Sequence, residues 1–589
     1  MITETTVDGV PVLLAPRPGP VTAGLFFRVG RADETLATSG ITRLVRRLAL
    51  HRLGPGDPPE DGAPAPSATF TRFQVTGTPA EVVAHLNGVC AALRDLPLER
   101  LETLKEILRT EPADRAADRP ADRSADRAPD PAGRCAQWRY GSRSYGLTGY
   151  DEAGLPHLTA EQVRDWARSR FTAGNAVLWI TAGAVPEGLD LTLPTGGRHP
   201  APEATSALPA LPARFRGGDG SVTLTSVLPR STAARLFTGV LGRELLRELR
   251  QNSGYAYAAT AEYVPRDAGS ATVVAHAEAL PQHQDAMAGV FVDVLAKLRA
   301  GRIEESALDA VRASALARLD TPGLAAARLP DRATDLLLGR PHRTPAEERA
   351  EIEAVGAQDL HEVARALWAG ALVRAPRGSV DGAGLAAAPT GSTETVSGRE
   401  YPASDDPGTV LTVAAEGVGL VSAAGRITVR YAECSLMQAY PDGARHLVGH
   451  DGFTLTVEPA RFAITAAELA PLDAGVPPSA VVAMPPRTPV RAPRTAPQTP
   501  APQTPAPTPA PAPVPAAPAA TWFTVLLWVL GLPGMVIGAS VLVLGLVMGD
   551  EHGQISRDNA WFLFKWLLVA GAALIPWAVC LRLRTAGRK

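Results

Sequence analysis

Gly40-Ile-Thr-Arg43-Leu-Val-Arg46-Arg47-Leu-Ala-Leu-His51 is the stretch on which the reading of this 589-residue chain turns. Read as a helix, it has two faces. Ile41, Leu44, Val45 and Leu48 fall at i, i+3, i+4 and i+7, the spacing of one apolar stripe. Arg43, Arg46 and Arg47 fall at i, i+3 and i+4 on the other side, so three guanidinium groups share a face. Taken alone, this is the pattern of an amphipathic helix with a solvated basic surface.

The neighbours of that helix set its fold. Before it, Val10-Pro-Val-Leu-Leu14 and Thr22–Gly30 alternate like strands around a Pro/Gly turn. After it come a strand at residues 68–76 and one or two helices over residues 79–111. Residues 112–132 repeat an Ala-Asp-Arg triplet with nothing to bury, which predicts a surface loop. Order resumes with Trp138-Arg-Tyr-Gly, then a helix opened by a capping box, Thr159 with Gln162 three residues on, and a strand at Asn175–Gly183. This is an α+β unit over residues 1–195. A connector (196–213) leads to a second unit of similar rhythm over residues 214–378: a strand at Val222–Leu228, a helix at Ala233–Arg250, strands at Tyr255–Tyr263 and Ser270–Glu278, then helices. The similar element order predicts a structural duplication.

Beyond a Gly/Ala/Ser/Thr linker (379–399), residues 400–478 are β-rich with short strands and turns at Pro441-Asp-Gly and His450-Asp-Gly. Their strand pattern resembles a pleckstrin-homology-like barrel. A Pro-rich linker (479–520) follows, and in polyproline II form it reaches on the order of 100 Å. Two apolar runs, residues 521–548 and 561–582, are each long enough to cross a bilayer, which needs about 20 residues. Trp522, Trp561 and Trp566 sit near their ends. The connection 549–560 is acidic, whereas Arg582, Arg584, Arg588 and Lys589 follow the second run, so the positive-inside rule predicts both ends in the cytoplasm and the connection outside. The expectation is a multi-pass cell-membrane protein whose N-terminal bulk and tail (583–589) are cytoplasmic.

Charge is nearly balanced, at a net of −2, which removes a general electrostatic case for nucleic acid. The four cysteines, Cys90, Cys135, Cys434 and Cys580, stand singly, against a disulfide scaffold or zinc ribbon. The N-terminus shows no signal-peptide pattern. No P-loop, dinucleotide fingerprint, G-x-S-x-G elbow or H-E-x-x-H is present. His446 and His450 have H-x-x-x-H spacing, but turn residues surround them, so a helix presenting both is not expected.

Together these segments resemble the insulinase or pitrilysin-type metallopeptidases. The resemblance rests on Val29-Gly30 with Glu34, Ser39-Gly40-Ile41 opening a helix, and Glu111 at the end of a long helix. It also rests on Tyr140-Gly, Tyr145-Gly, Leu158-Thr-x-Glu-x-Val and Phe171-x-x-x-Asn175. In the second unit Leu249-Arg250-Gln-Asn-Ser-Gly254-Tyr-Ala-Tyr257 is similar to the family's L-R-x-x-x-G-x-x-Y segment. The resemblance implies two similar α+β domains that pair with another such half around a peptide chamber. It implies zinc on an inverted H-x-x-E-H helix and a later carboxylate ligand. The motif histidines then fall on Arg43 and Arg47, the catalytic glutamate on Arg46, and the distal carboxylate on Glu111 or Glu106.

A guanidinium is cationic and has no lone pair to donate, so these three residues cannot hold zinc or activate water. The expectation is therefore a pseudopeptidase without a metal cofactor. It would bind polypeptides, or pair as a homo- or hetero-dimer with an active insulinase-like subunit. Arg250 and Tyr257 match positions that in the family reach a substrate carbonyl. Two other readings stand beside it: an active zinc peptidase with unusual ligands, and a membrane scaffold acting through residues 400–478. If the arginine face lies inside a chamber it needs counter-charges, and Glu111 or Glu106 is the expected partner.

Overall fold

The structure, a computed structural model, describes residues 2–51, 68–117, 131–218, 220–376, 378 and 380–487. β1 (Thr3–Val7) and β2 (Val10–Leu14) form a hairpin turned by Asp8 and Gly9. Both turn residues have positive φ, 51° and 82°, which a tight two-residue hairpin demands. Then follow β3 (Val21–Phe27), α1 (Ile41–His51), β4 (Thr71–Gly77), α2 (Pro79–Arg94), α3 (Leu101–Ala117), α4 (Pro131–Tyr140), α5 (Ala160–Arg170) and β5 (Ala176–Ile180). The sheet runs β1-β2-β5-β3-β4, with β2 and β5 parallel and the other neighbours antiparallel. The capping box expected at Thr159 and Gln162 is present at the start of α5. The apolar stripe of α1 is buried against this sheet and its covering helices, in one cluster with Leu25, Phe27, Phe73, Leu104 and Leu108.

The second domain consists of β6 (Ala213–Arg216), β7 (Ser221–Pro229), α6 (Thr232–Leu245) continued by a π turn (Leu246–Asn252), β8 (Ala256–Pro265) and β9 (Ser270–Ala279). It goes on with α7 (Gln284–Arg299), α8 (Glu305–Leu319), α9 (Leu324–Ala327), α10 (Leu329–Leu337), α11 (Pro345–Ala354), α12 (Ala357–Ala369), β10 (Leu372–Ala375) and β11 (Ala386–Ala387). Its sheet runs β11-β6-β10-β7-β9-β8. β6 is parallel to β10, β10 antiparallel to β7, and β7 antiparallel to β9. Those are the pairings of β2, β5, β3 and β4 in the first domain, and α6 follows β7 as α1 follows β3. The two domains share this topology, and α6 is the counterpart of α1.

A sheet has two faces, and helices of its own domain cover only one of each here. The other faces are covered reciprocally. Ala326, Leu329, Ala333 and Leu337 of α9 and α10 pack on Leu13, Phe26, Val177 and Trp179 of the first sheet. In return Cys135 and Trp138 of α4 pack on Phe215 and Leu372 of the second, with the Trp138 and Phe215 rings stacked at 5.0 Å. Arg139 fixes that crossing by donating to the carbonyls of Thr225 and Gly370, both at 2.9 Å.

The third domain begins with β12 (Arg399–Pro402), β13 (Val410–Val413), β14 (Gly417–Ser422) and β15 (Gly425–Arg430) as one antiparallel meander. β16 (Cys434–Ala439), β17 (Arg445–Gly449) and β18 (Thr454–Val457) form a second, and α13 (Pro459–Phe462), α14 (Ala466–Gly475) and β19 (Val481–Ala483) complete it, β19 lying parallel to β16. It is not a bead on a string. Leu436, Val448 and Val482 bury against Leu36, Ala37 and Leu147 of the first domain. Ser142 donates its N–H to the carbonyl of His450 (3.2 Å) and its hydroxyl to that of Gly449 (2.7 Å).

Several boundaries differ from those expected. α3 runs to Ala117, into the predicted surface loop, while residues 118–130 lie outside the described residues. The segment read as a linker over 379–399 supplies β11, which pairs with β6, and Glu394, which pairs with Arg430. The third domain continues past 478 to β19, and Arg487 bridges Asp442 and Glu458. Helices α9 to α11 are additions to the expected element order: the apolar residues of α9 and α10 face the other domain's sheet, whereas Ile352 of α11 packs into the second domain's own core. Residues 488–520 of the expected Pro-rich linker and both apolar runs fall outside the described residues. Among the described residues no helix is long and apolar enough to cross a membrane.

Candidate functional site

α1 is held at its N-terminus by Glu34. Its carboxylate accepts the backbone N–H groups of Gly40 (2.8 Å) and Thr42 (3.0 Å), two of the donors that a helix start leaves without intrahelical partners. Glu34 is buried, and burial pushes its carboxyl up to about 7 against those two hydrogen bonds. Gly40 takes φ +92°, and a Cβ there would come within 3.2 Å of Leu155 and Glu152, so the turn into α1 requires glycine.

The three arginines are not a solvated face. Arg43 is half-buried and donates to Glu152 at 2.9 Å, and Glu152 also faces Arg31 at 3.8 Å. Arg46 is 5% exposed, and its Nε donates to the carbonyl of Arg72 on β4 at 3.0 Å. Arg72 in turn lies over the Phe26 ring, 5.1 Å from its centroid. Arg47 is half-buried and His51 exposed. The helix thus ties its basic side to the 152 loop and to the sheet.

One of the two expected counter-charges is placed elsewhere. Glu106 points out to solvent and pairs with Arg109 at 2.8 Å, so it does not reach the arginine face. Arg43 is met by Glu152, which lies more than a hundred residues away in sequence and carries no local signal. Arg46 is met by a backbone carbonyl, which no charge pattern could reveal. Glu111 lies in α3 in the row of Leu104 and Leu108; its side chain lies outside the described residues. Glu34 was legible as an acidic residue just ahead of a helix start.

Zinc does not fit this helix. Guanidinium offers no lone pair at any of the three motif positions, and among the described residues no three His, Cys, Asp or Glu side chains converge. His446 sits on β17, bonded to Thr456, while His450 lies in the following turn, so the pair shares no helix.

In the second domain Arg250 is exposed in the last turn of the π segment that prolongs α6. Tyr257, 45% exposed, occupies the bulge at the start of β8. Its hydroxyl donates to Glu278 at 2.6 Å. Glu278 also meets His276 (3.1 Å), whose other ring nitrogen meets the Thr223 hydroxyl (2.9 Å). The tyrosine is thus anchored at the end of a polar chain crossing β8, β9 and β7.

Comparison with known proteins agrees with this architecture. Residues 215–315 match the family model described as the peptidase M16 inactive domain. Over those residues the chain is similar to that domain. A solved protease from Helicobacter pylori shares the fold at a TM-score of 0.52 and 14% identity, over 64% of this chain and 99% of that one. A peptidase M16 inactive domain from Pseudomonas fluorescens does so at 0.50 and 13%, over 64% and 98%. No curated protein matches the sequence. The matched residues fall within the second domain, so the state of α1 is argued from its own residues.

Proposed function

We propose that this chain is a non-hydrolytic insulinase-like protein that binds polypeptide, or pairs with an active insulinase-like subunit, while tethered to the cell membrane. The observation that carries the reading is the α1 face. The helix keeps its apolar stripe and capping carboxylate, but each position that the family motif gives to zinc or water chemistry holds a guanidinium, and those of Arg43 and Arg46 are engaged in structural bonds. Arg250 and Tyr257 supply the polypeptide contact, Tyr257 through a hydroxyl already oriented by Glu278. Tethering rests on the two apolar runs of the sequence, 521–548 and 561–582, with the folded domains on the cytoplasmic side. The pleckstrin-homology-like reading of residues 400–478 rests on the two successive meanders followed by α14.

The test is elemental analysis and peptide cleavage on the purified full-length chain. No stoichiometric zinc and no chelator-sensitive cleavage are expected. One zinc per chain with cleavage abolished by chelator would overturn the proposal. Arg250→Ala and Tyr257→Phe should each weaken capture of an unfolded polypeptide without changing the melting temperature.

A further inference from the structure

A cavity of about 350 Å³ lies where the N-terminus of α6 meets α10, the 340–343 loop and α11. Six guanidinium groups line it: Arg230, Arg235, Arg328, Arg332, Arg340 and Arg343. That density is costly in a small space, so the compensation decides what the cavity is for. Asp335 is shared between Arg230 (3.1 Å) and Arg340 (3.7 Å), and Glu348 between Arg235 (2.8 Å) and Arg328. From outside the lining, Glu4 takes Arg332 (2.9 Å) and Glu351 takes Arg343 (2.7 Å). Asp331 is the remaining acid of the lining, and burial followed by Asp335 raises its carboxyl toward the neutral form.

Arg230 and Arg340 also donate to the backbone carbonyls of Asp267 and Ala268, both at 3.1 Å, yet the six guanidiniums still outnumber the five carboxylates in and around the lining. Each guanidinium carries five N–H donors in a planar fork, and a carboxylate satisfies two of them well. Arg332 spends its Nε and Nη2 on Glu4, at 3.2 and 2.9 Å. Burial, then the Arg230 guanidinium, hold Arg340 below the ordinary arginine range. The start of α6 adds a helix N-terminus to the same wall; Ser231 caps one of its N–H groups, that of Ala234. The volume lies within the range of small-ligand sites and is far beyond what a single water needs.

We propose that this cavity binds a compact, multiply charged phosphoanion of the pyrophosphate class. Its oxygens would accept from the guanidinium N–H groups that face the cavity. This site is separate from the α1 face and from Arg250 and Tyr257, and it does not depend on the polypeptide-binding reading.

The experiment is calorimetric titration of the full-length chain, in detergent micelles, with inorganic pyrophosphate at low ionic strength. One saturable site per chain is expected, with orthophosphate competing weakly. Arg343→Gln changes a half-exposed residue at the rim, and Arg340→Ala removes a second cation from the loop. Each should weaken binding about tenfold or more, and Asp335→Asn, which removes a competing acceptor, should tighten it. Absence of saturable binding, or equal affinity in wild type and Arg343→Gln, would overturn the proposal. Arg343→Gln remains decisive even where the other two variants fold poorly. ADP in place of pyrophosphate distinguishes the sources: equal affinity assigns the site to the free anion, and tighter binding to a nucleotide.

Discussion

Gly141 offers a sharp test of whether the third domain is part of one folded body with the first. It has φ +73°, and a Cβ built there would stand 2.0 Å from the carbonyl oxygen of His450 and 3.4 Å from the Cβ of Ala207. In Gly141→Ala the His450 carbonyl must therefore retreat by about 1 Å to reach ordinary C···O contact. That carbonyl accepts the Ser142 N–H, and the Ser142 hydroxyl contacts Gly449 and Ser435 at 2.7 and 2.6 Å, so the retreat pulls on all three. Left-handed backbone strain costs about 1–2 kcal/mol, and each lost buried hydrogen bond about 1 kcal/mol. The expected total is about 3–5 kcal/mol. Gly323→Ala is the control. It has φ +79° with nothing within 4 Å of the new Cβ, so only the strain of about 1–2 kcal/mol applies. Urea unfolding followed by tryptophan fluorescence, with limited proteolysis at the boundary near residue 400, reads both. If Gly141→Ala is no more destabilising than Gly323→Ala, the docking of the third domain is not what these contacts describe.

Two further outcomes follow from named residues. Glu34 is raised from 4.5 to about 7 in the folded chain, so the native state binds more protons than the unfolded state between those values. Its contribution to stability is complete below pH 4.5 and is lost as pH rises through about 7, a swing of about 3 kcal/mol. In Glu34→Gln the difference in unfolding midpoint between about pH 5 and pH 8 should shrink accordingly, and an unchanged slope would show that Glu34 is not its source. Leu329 is fully buried between α10 and the first sheet. Leu329→Ala should cost about 2–5 kcal/mol by cavity formation, and calorimetry should show both domains melting earlier rather than the second alone.

The sequence exposed the parts of this molecule that are set locally. The 3.6-residue stripe of α1, the capping box at Thr159, the β8–β9 pair and the repeated element order all come from neighbours within a turn or a hairpin, and all are present. What it hid was set between domains. Leu329, Ala333 and Leu337 repeat at helical spacing, but their partners Phe26 and Trp179 lie on another domain's sheet, and nothing local announces that pairing. β11 is two alanines within a Gly/Ala/Ser/Thr segment, and only the free edge of β6 makes it a strand. At the candidate site, the identity of the three arginines was legible. Their partners, Glu152 and the Arg72 carbonyl, were not accessible from spacing.

Those partners give the basic side of α1 a structural role. A zinc helix needs its ligand side open toward a metal and a substrate. In this chain the same side has become a fastening. Arg43 draws the 152 loop to the helix, and Arg46 spans from α1 to a carbonyl of β4, buried at 5% exposure. Placing a glutamate at position 46 would set a carboxylate near that carbonyl and remove the donor that now reaches it. Histidine at 43 would leave Glu152 with Arg31 alone, at 3.8 Å. Glu152 and the Arg72 carbonyl are acceptors suited to cations at positions 43 and 46. A scaffold built in this way is held by its arginines rather than merely tolerating them.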